Sequence, residues 1–183
     1  MTARDAAIRR SGRLIAVPTT SLVSVEEYLR TSFDGPDREF VDGEILERNV
    51  GENPHSEVQA RLIELFYEFK KRHPLHSRPE LRMRLEPRRY RIPDVAIFHP
   101  EKPDELVPSR PPLIVIEIVS REDRHTEIVK KLSEFLSWGV KHVWLVDPWL
   151  RQLSVSSETG LSAVSVLELP EFGIRITPAD IFD

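Results

Sequence analysis

The pattern of apolar and polar positions predicts a chain of alternating helices and strands. Residues 113–119 are a run of aliphatic, mostly β-branched residues, which is typical of a strand buried on both faces of a sheet. Apolar residues three and four positions apart predict an amphipathic helix from His55 to about Arg72 and a second helix that ends at Gly139. The order helix, strand, strand, strand, helix, strand predicts an α/β fold, with a mixed central β-sheet flanked by α-helices.

Capping and turn signals add shorter elements before the first long helix. Ser24 with Glu27 is a capping-box pattern that predicts a short helix. The Asp42-Gly43 pair predicts an N-terminal β-hairpin over residues 39–48. Further predicted elements are a half-exposed strand over 81–86, a turn at 88–90, an edge strand over 152–157, a weaker strand over 164–169, and a helix cap at Ser120 or Asp123.

Length and composition limit the classes of protein. The chain has 183 residues, which fits one domain over residues 21–183 behind a flexible N-terminal arm over residues 1–20. It contains no cysteine, which excludes disulfides and cysteine-based zinc sites and agrees with a cytoplasmic location. No apolar run approaches the ~20 residues of a membrane helix, so no membrane partner is expected.

Two carboxylates interrupt the predicted apolar strands. Glu117 lies in the middle of residues 113–119, and Asp94 lies at the start of the apolar segment 95–98. Because burying an unpaired charge is expensive, Glu117 must be protonated, paired with a cation or bound to a metal. Neighbouring strands lie about 4.8 Å apart, so the two acids would face one point if their strands pair. A divalent cation would remove their repulsion, and oxygen ligands suit Mg²⁺ or Mn²⁺.

Lysine and arginine are concentrated in residues 70–91. The segment holds nine of them against two acids, although the whole chain has a formal net charge of −4. We expect a local basic surface that binds a nucleic-acid backbone without reading sequence, through Arg82, Arg84, Arg88 and Arg89. Alternatively, these arginines are only the solvated face of a strand, or acids from elsewhere in the chain offset them.

Several short motifs share their order and spacing with a known family. They lie at residues 24–29, 39–45, 54–56, 93–96, 115–120, 123–124, 131–136 and 139–148. Together they resemble the Uma-two family of restriction endonucleases, within the PD-(D/E)xK nuclease superfamily. The resemblance implies a restriction-endonuclease-like fold and a Mg²⁺- or Mn²⁺-dependent endonuclease that hydrolyses phosphodiester bonds, with DNA as its substrate and a homodimer as a suitable assembly. A catalytically inactive nucleic-acid-binding or protein-interaction module on the same fold is the alternative.

The superfamily pattern also requires a lysine. It is expected two residues after Glu117, where Val119 stands, so the resemblance implies a lysine from the following helix. Stepping about 100° per residue from Ile128 places Lys131 on the rim of the buried helix face and Lys130 in solvent. This geometry selects Lys131 as the catalytic lysine, alongside Asp94 and Glu117 as metal ligands.

Three further residues are candidates for the site. The resemblance implies that Glu44, just after the hairpin turn, is a further catalytic carboxylate. His55 is a candidate for contact with the substrate or the site, and so is Arg124, which the same helix stepping places beside Lys131. Each assignment has a simpler alternative. Glu44 could be an ordinary polar residue of the hairpin with no role in a site, and His55 could simply be a residue of the first helical turn. Glu117 could be in a salt bridge to Arg124 or Lys131, and Lys131 could be a rim lysine with its head in water.

Overall fold

The computed structural model describes residues 6–10, 13–17, 22–49 and 51–183. Its helices are α1 (Val25–Arg30), α2 (Asn53–Lys70), α3 (His125–Trp138) and α4 (Pro178–Phe182), with a 3₁₀ turn at Pro170–Phe172. Its strands are β1 (Ala6–Arg10), β2 (Arg13–Val17), β3 (Ser32–Phe33), β4 (Glu39–Val41), β5 (Glu44–Leu46), β6 (His76–Pro79), β7 (Met83–Glu86), β8 (Arg89–Arg91), β9 (Val95–Phe98), β10 (Ile114–Ile118), β11 (His142–Asp147), β12 (Gln152–Ser157), β13 (Gly160–Val164), β14 (Leu167–Leu169) and β15 (Ile174–Ile176).

A six-stranded mixed sheet forms the centre of the molecule. Its strand order is β13-β12-β11-β10-β9-β6, and β10 and β11 are its parallel pair. Helix α3 connects these two strands, as a parallel pair requires a crossover. All five residues of β10 are buried, as the apolar run predicts for a strand covered on both faces. The predicted α/β class with a mixed central sheet is therefore confirmed.

The two long helices cover opposite faces of the sheet. Val58, Leu62 and Phe66 of α2 pack in one apolar cluster with Ile116 of β10. Leu132 and Phe135 of α3 pack in a second cluster with Val115 of β10. Consecutive strand residues point to opposite faces, which explains why neighbouring positions in β10 belong to different clusters.

A second, four-stranded sheet lies beside the first in the order β5-β4-β8-β7. The predicted hairpin is present, with Asp42 at φ 52° and Gly43 at φ 106° in its turn, the conformation of a type I′ turn. The predicted helix cap is also present, because Ser24 Oγ accepts the Glu27 N–H at 3.1 Å. Tyr28 of α1 stacks on Phe40 of β4 and fixes this helix against the sheet.

The structure corrects the predicted strand limits. β12 is not an edge strand, because β13 pairs with it along residues 160–164. This short segment shows no apolar alternation, since its two bulky apolar residues, Leu161 and Val164, are three positions apart. The predicted strand over 164–169 is divided between β13 and β14. The predicted turn at 88–90 is shorter, since pairing of Phe40 with Tyr90 extends β8 back to Arg89.

The start of α3 also differs from the prediction. The N-cap is Arg124, which makes no side-chain cap hydrogen bond, rather than Ser120 or Asp123. The Asp123 carboxylate instead accepts the Ser120 N–H at 2.7 Å, which closes a turn before the helix. The predicted flexible arm over residues 1–20 falls partly outside the described residues, and it stays a prediction.

Candidate active site

Antiparallel pairing of β9 with β10 brings the two carboxylates together. Ile116 pairs with Val95, so Glu117 and Asp94 occupy the next pair of positions. Both side chains point to the α3 face, since Val115 and Ala96, two residues away on each strand, belong to the α3 cluster. Asp94 is 5% and Glu117 8% exposed. Asp94 Oδ2 also accepts the Ile118 N–H at 2.7 Å, which ties the two strand ends together.

Lys131 of α3 reaches this acid pair. Its Nζ lies 2.9 Å from Glu117 Oε1 and donates to Oε2 at 3.0 Å. It also donates to the Ile92 carbonyl oxygen at 3.1 Å. Lys130 is exposed, as the helix geometry predicts. Of the two partners considered for Glu117, the structure shows Lys131.

Glu39 of β4 is a site residue that the sequence did not reveal. Its Oε1 lies 2.8 Å from Lys131 Nζ and accepts the Ile92 N–H at 2.9 Å, and its Oε2 lies 2.6 Å from Arg91. Arg91 is 5% exposed and also binds Glu134 at 2.7 Å. The available signal was Arg91 itself, because an arginine beside the buried Asp94 strand needs acidic partners. The sequence does not say which acids supply them.

Asp94 also contacts two basic side chains that do not touch Glu117. Arg48 Nη2 lies 3.1 Å from Oδ1, and His55 Nε2 lies 3.3 Å from Oδ2. Gln59, one helical turn beyond His55 on α2, donates to the Asp94 carbonyl oxygen at 2.9 Å. His55 therefore lies in the cluster, as one of the two alternatives for it proposes. Arg48 was missed, since it follows the hairpin with no pattern to mark it.

Counted with every carboxylate ionised and His55 neutral, the cluster has one more negative than positive charge. It holds four carboxylates and three permanent cations, namely Glu39, Asp94, Glu117 and Glu134 against Arg48, Arg91 and Lys131. Burial, with repulsion from Asp94 and Glu39, raises the pKa of Glu117 to about 8 despite the Lys131 charge. Burial would also raise the pKa of Asp94, but the His55 hydrogen bond and the charges of Lys131 and Arg48 hold that pKa below its usual value. A proton or a further cation would therefore balance the cluster.

The donor chemistry fits a divalent cation. Glu117 Oε1 is buried and accepts no hydrogen bond from the described residues, because its contact with Lys131 is an ion pair without hydrogen-bond geometry. The cleft above the acid pair has a volume of about 540 Å³, and Glu39, Asp94 and Glu117 are among its lining residues. Carboxylate oxygens are the ligands that Mg²⁺ and Mn²⁺ prefer. Within the described ranges no three His, Cys, Asp or Glu side chains are already arranged as a metal cage, so water and backbone oxygens would complete the coordination.

The remaining candidates lie farther from the acid pair. Glu44 and Arg124 line the cleft and are exposed, and the described contacts join neither of them to Asp94 or Glu117. Arg124 instead lies 3.8 Å from Glu127 on its own helix, with its side chain 80% exposed. The helix-phase argument placed Arg124 beside Lys131, but at the N-cap its side chain leaves the helix face. Catalytic or substrate-binding roles for these two residues stay predictions.

Acids from elsewhere offset much of the basic segment. Arg82 Nε donates to Asp37 at 3.0 Å, and Arg89 lies 2.9 Å from Asp42 and 3.1 Å from Glu86. Arg88 is exposed and donates to the Asp42 carbonyl oxygen. Arg84 is exposed on β7 with no acidic partner within the described ranges. The offset considered from the sequence is thus present at Arg82 and Arg89.

The fold and the acid pair define a nuclease-like α/β protein. The structure matches the crystal structure of a putative nuclease belonging to DUF820 from Anabaena variabilis ATCC 29413 with a TM-score of 0.76 and 20% identity, over 87% of this chain and 97% of that chain. The family model described as "Uma2: Putative restriction endonuclease" matches residues 25–178, so the chain belongs to the Uma2 family. A comparison with curated proteins found no match.

Among the described helices, none has the length and hydropathy that a membrane-spanning segment requires.

Proposed function

We propose that this protein is a metal-dependent endonuclease that hydrolyses phosphodiester bonds in nucleic acid, with DNA as its substrate. The observation that supports the proposal most is the convergence of Asp94, Glu117 and Lys131 from two paired strands and the following helix. Membership of a nuclease family supports the same reaction class. A cytoplasmic location and a homodimer belong to the same proposal. A homodimer suits it because cutting both strands of a duplex is easiest with two sites.

Asp94 and Glu117 would hold the metal, Mg²⁺ or Mn²⁺, together with a backbone carbonyl oxygen after Glu117. When bound, the cation supplies Lewis-acid stabilisation of the charge on the scissile phosphate. His55 and Arg48 position the Asp94 carboxylate from the side of α2 and the hairpin. Glu39 holds the Lys131 ammonium group from the second sheet.

We assign Lys131 to charge stabilisation at the phosphate. Its ammonium group lies within hydrogen-bond distance of Glu117, and the negative charges of Glu117 and Glu39 raise its pKa above the usual value although burial opposes them. It therefore stays protonated at neutral pH. A fixed cation in a buried site can orient an attacking water or stabilise the developing oxyanion. Glu44 is proposed as an outer carboxylate of the cleft.

The exposed arginines Arg84 and Arg88 are proposed to contact the phosphate backbone, with Arg82 and Arg89 contributing beside their acidic partners. Phosphate contacts of this kind position a nucleic acid without reading its sequence. Four such contacts are few for a tight duplex binder.

A plasmid-nicking assay tests the proposal. We expect the wild-type protein to convert supercoiled plasmid to nicked and linear forms with Mg²⁺ or Mn²⁺ and to be inactive in EDTA. Asp94→Asn and Glu117→Gln should lower the rate by at least about 10²-fold, whereas Glu168→Gln, an exposed carboxylate on β14, should leave it unchanged. Cleavage that persists in Asp94→Asn, or that EDTA does not stop, would contradict the proposal.

The second candidate is an inactive nucleic-acid-binding or protein-interaction module on the same fold. The observation that favours it is that Arg48 and His55 already occupy both oxygens of Asp94. Plasmid that stays intact with either metal, in a folded protein that still binds DNA, would support this candidate over the nuclease.

A further inference from the structure

The surface turn that follows β11 displays an exposed tryptophan. Residues 148–151 form the turn between β11 and β12, where Trp149 is 37% and Leu150 71% exposed. The turn is held in place, because Asp147 Oδ1 accepts the N–H groups of Trp149 at 2.8 Å and Leu150 at 2.9 Å. Large apolar residues are uncommon choices for a turn, where Gly, Asn and Ser usually serve. The tryptophan is therefore presented to solvent from a fixed backbone.

A guanidinium group lies over this tryptophan. The Arg121 guanidinium carbon is 4.4 Å from the Trp149 ring, within the range of a cation–π contact. The Arg121 side chain is 68% exposed, and its acidic neighbour, Glu52, is 3.9 Å away, at the outer limit of an ion pair. Arg121 thus covers part of the Trp149 ring, and the exposed guanidinium and the partly exposed indole together form a flat, cationic surface, which we call the stacking platform.

The stacking platform lies at the end of the sheet where β10 and β11 finish, just beyond Glu117, although neither Arg121 nor Trp149 lines the cleft itself. Strands β10 and β11 are parallel, and the Val119 N–H donates to the Val146 carbonyl oxygen, so the segments after both strands emerge at the same end of the sheet as Glu117. Arg121 follows Glu117 by four residues. Its neighbour Glu52 caps α2 three residues before His55, which contacts Asp94. Short chain segments therefore connect the platform to both carboxylates.

We propose that Trp149 and Arg121 bind an unpaired nucleobase of the nucleic-acid substrate beside the acid cluster. A planar base stacks on aromatic rings and on arginine guanidinium groups, and the attached phosphate complements the arginine charge. In a duplex, neighbouring bases cover both faces of each base, so an exposed platform favours single-stranded or frayed regions of the DNA. The inference rests on the proposed function for its choice of nucleic acid as ligand, and it names the substrate class.

The distribution of charge supports the same substrate class. Arg82, Arg89 and Arg91 are paired with acids, and the chain carries a net charge of −4, so its phosphate contacts are few. Duplex binding without base contacts depends on many phosphate contacts. Stacking provides affinity that does not depend on them, since every base has an aromatic face.

The test is binding without cleavage. Fluorescence anisotropy in EDTA would compare a fluorescein-labelled single-stranded DNA of twelve nucleotides with the duplex of the same sequence, for wild type, Trp149→Ala, Trp149→Phe and Leu150→Ala. We expect wild type to bind the single strand more tightly than the duplex. Trp149→Ala should weaken single-strand binding about tenfold, whereas Trp149→Phe should retain most of it and Leu150→Ala, in the same turn, should match wild type.

Two results would overturn the platform: equal single-strand affinity in wild type and Trp149→Ala, or equal or weaker affinity of wild type for the single strand than for the duplex. Circular dichroism of each variant checks folding. Because no metal or cleavage is needed, the outcome is separable from the nicking assay. If the protein nicks plasmid but Trp149→Ala binds the single strand as tightly as wild type, only the platform is refuted. If single-strand binding depends on Trp149 but the protein never cleaves, only the nuclease proposal is refuted.

Discussion

The acid pair, Asp94 and Glu117, and the basic segment of residues 70–91 are both conspicuous in the sequence, but their surroundings in the folded protein differ. Asp94 and Glu117 are buried together with an excess of negative charge, whereas Arg82 and Arg89 are neutralised by acids from the hairpin region. Burial penalises an unpaired charge heavily, so a carboxylate within an apolar strand carries information about a site. A count of surface charges carries much less, because any distant segment can supply their partners.

The largest contrast should be between two adjacent lysines of α3. Lys131→Met removes the buried cation at the acid pair and should lower nicking activity by about 10²- to 10³-fold, because charge stabilisation in a buried site is strong. Lys130→Met removes an exposed charge and should change the rate less than twofold. Rates for variants with native circular dichroism spectra check this, and similar rates for the two would show that Lys131 is structural only.

Glu39 should be the next most sensitive position, in stability. Glu39→Ala leaves Arg91 and Lys131 buried without this acid, which should lower the free energy of unfolding by about 3–5 kcal/mol. Glu44→Ala, in the same hairpin but exposed, should change it by less than about 0.5 kcal/mol. Urea denaturation measures both. Equal values would mean that the buried network contributes no more than a surface charge.

In the basic segment the expected effects are smaller. Arg84→Ala should reduce the slope of log affinity against log salt concentration by about 1, because Arg84 is exposed on β7. Arg82→Ala should change the slope less, since Arg82 already binds Asp37. DNA-binding titrations at salt concentrations between roughly 50 and 200 mM measure both slopes. A larger change in Arg82→Ala would show that the ion pair opens on binding.

The smallest effect should come from an exposed ion pair. Contacts with Lys141 and His142 lower the pKa of Glu171 to about 2, although partial burial opposes them. Its ordinary pKa is 4.5, so its stabilisation is present above that pH and is lost as the pH falls towards 2. Glu171→Gln should therefore lower the free energy of unfolding by at most about 1 kcal/mol at pH 7. The difference from wild type should shrink at pH 4; a difference that grows on acidification would contradict this.

The parts of the fold that the sequence revealed are those governed by local patterns. The apolar run around Glu117, the Asp42-Gly43 turn and the glycine that ends α3 each follow from propensities of a few residues. Strand β13 escaped notice because Leu161 and Val164 are not at alternating positions, so its place in the sheet depends on pairing with β12. Long-range pairing of that kind leaves little trace in a local pattern.

The site was predictable to the same extent. The sequence identified Asp94, Glu117 and Lys131, because expected burial or helix phase singles out each position. Glu39 and Arg48 come from the second sheet and its following loop, and they reach the acid pair only through tertiary packing. Glu44, which the family resemblance favoured, lies on the opposite end of the same hairpin from Glu39.

Calorimetric titration of Mn²⁺ tests the central claim most directly. The account predicts saturable binding to the wild-type protein and its loss in Glu117→Gln, a substitution that keeps the side-chain shape and removes the charge the cation requires. Glu168→Gln should titrate like wild type. Equal heats in wild type and Glu117→Gln would show that the buried acid pair does not hold the metal.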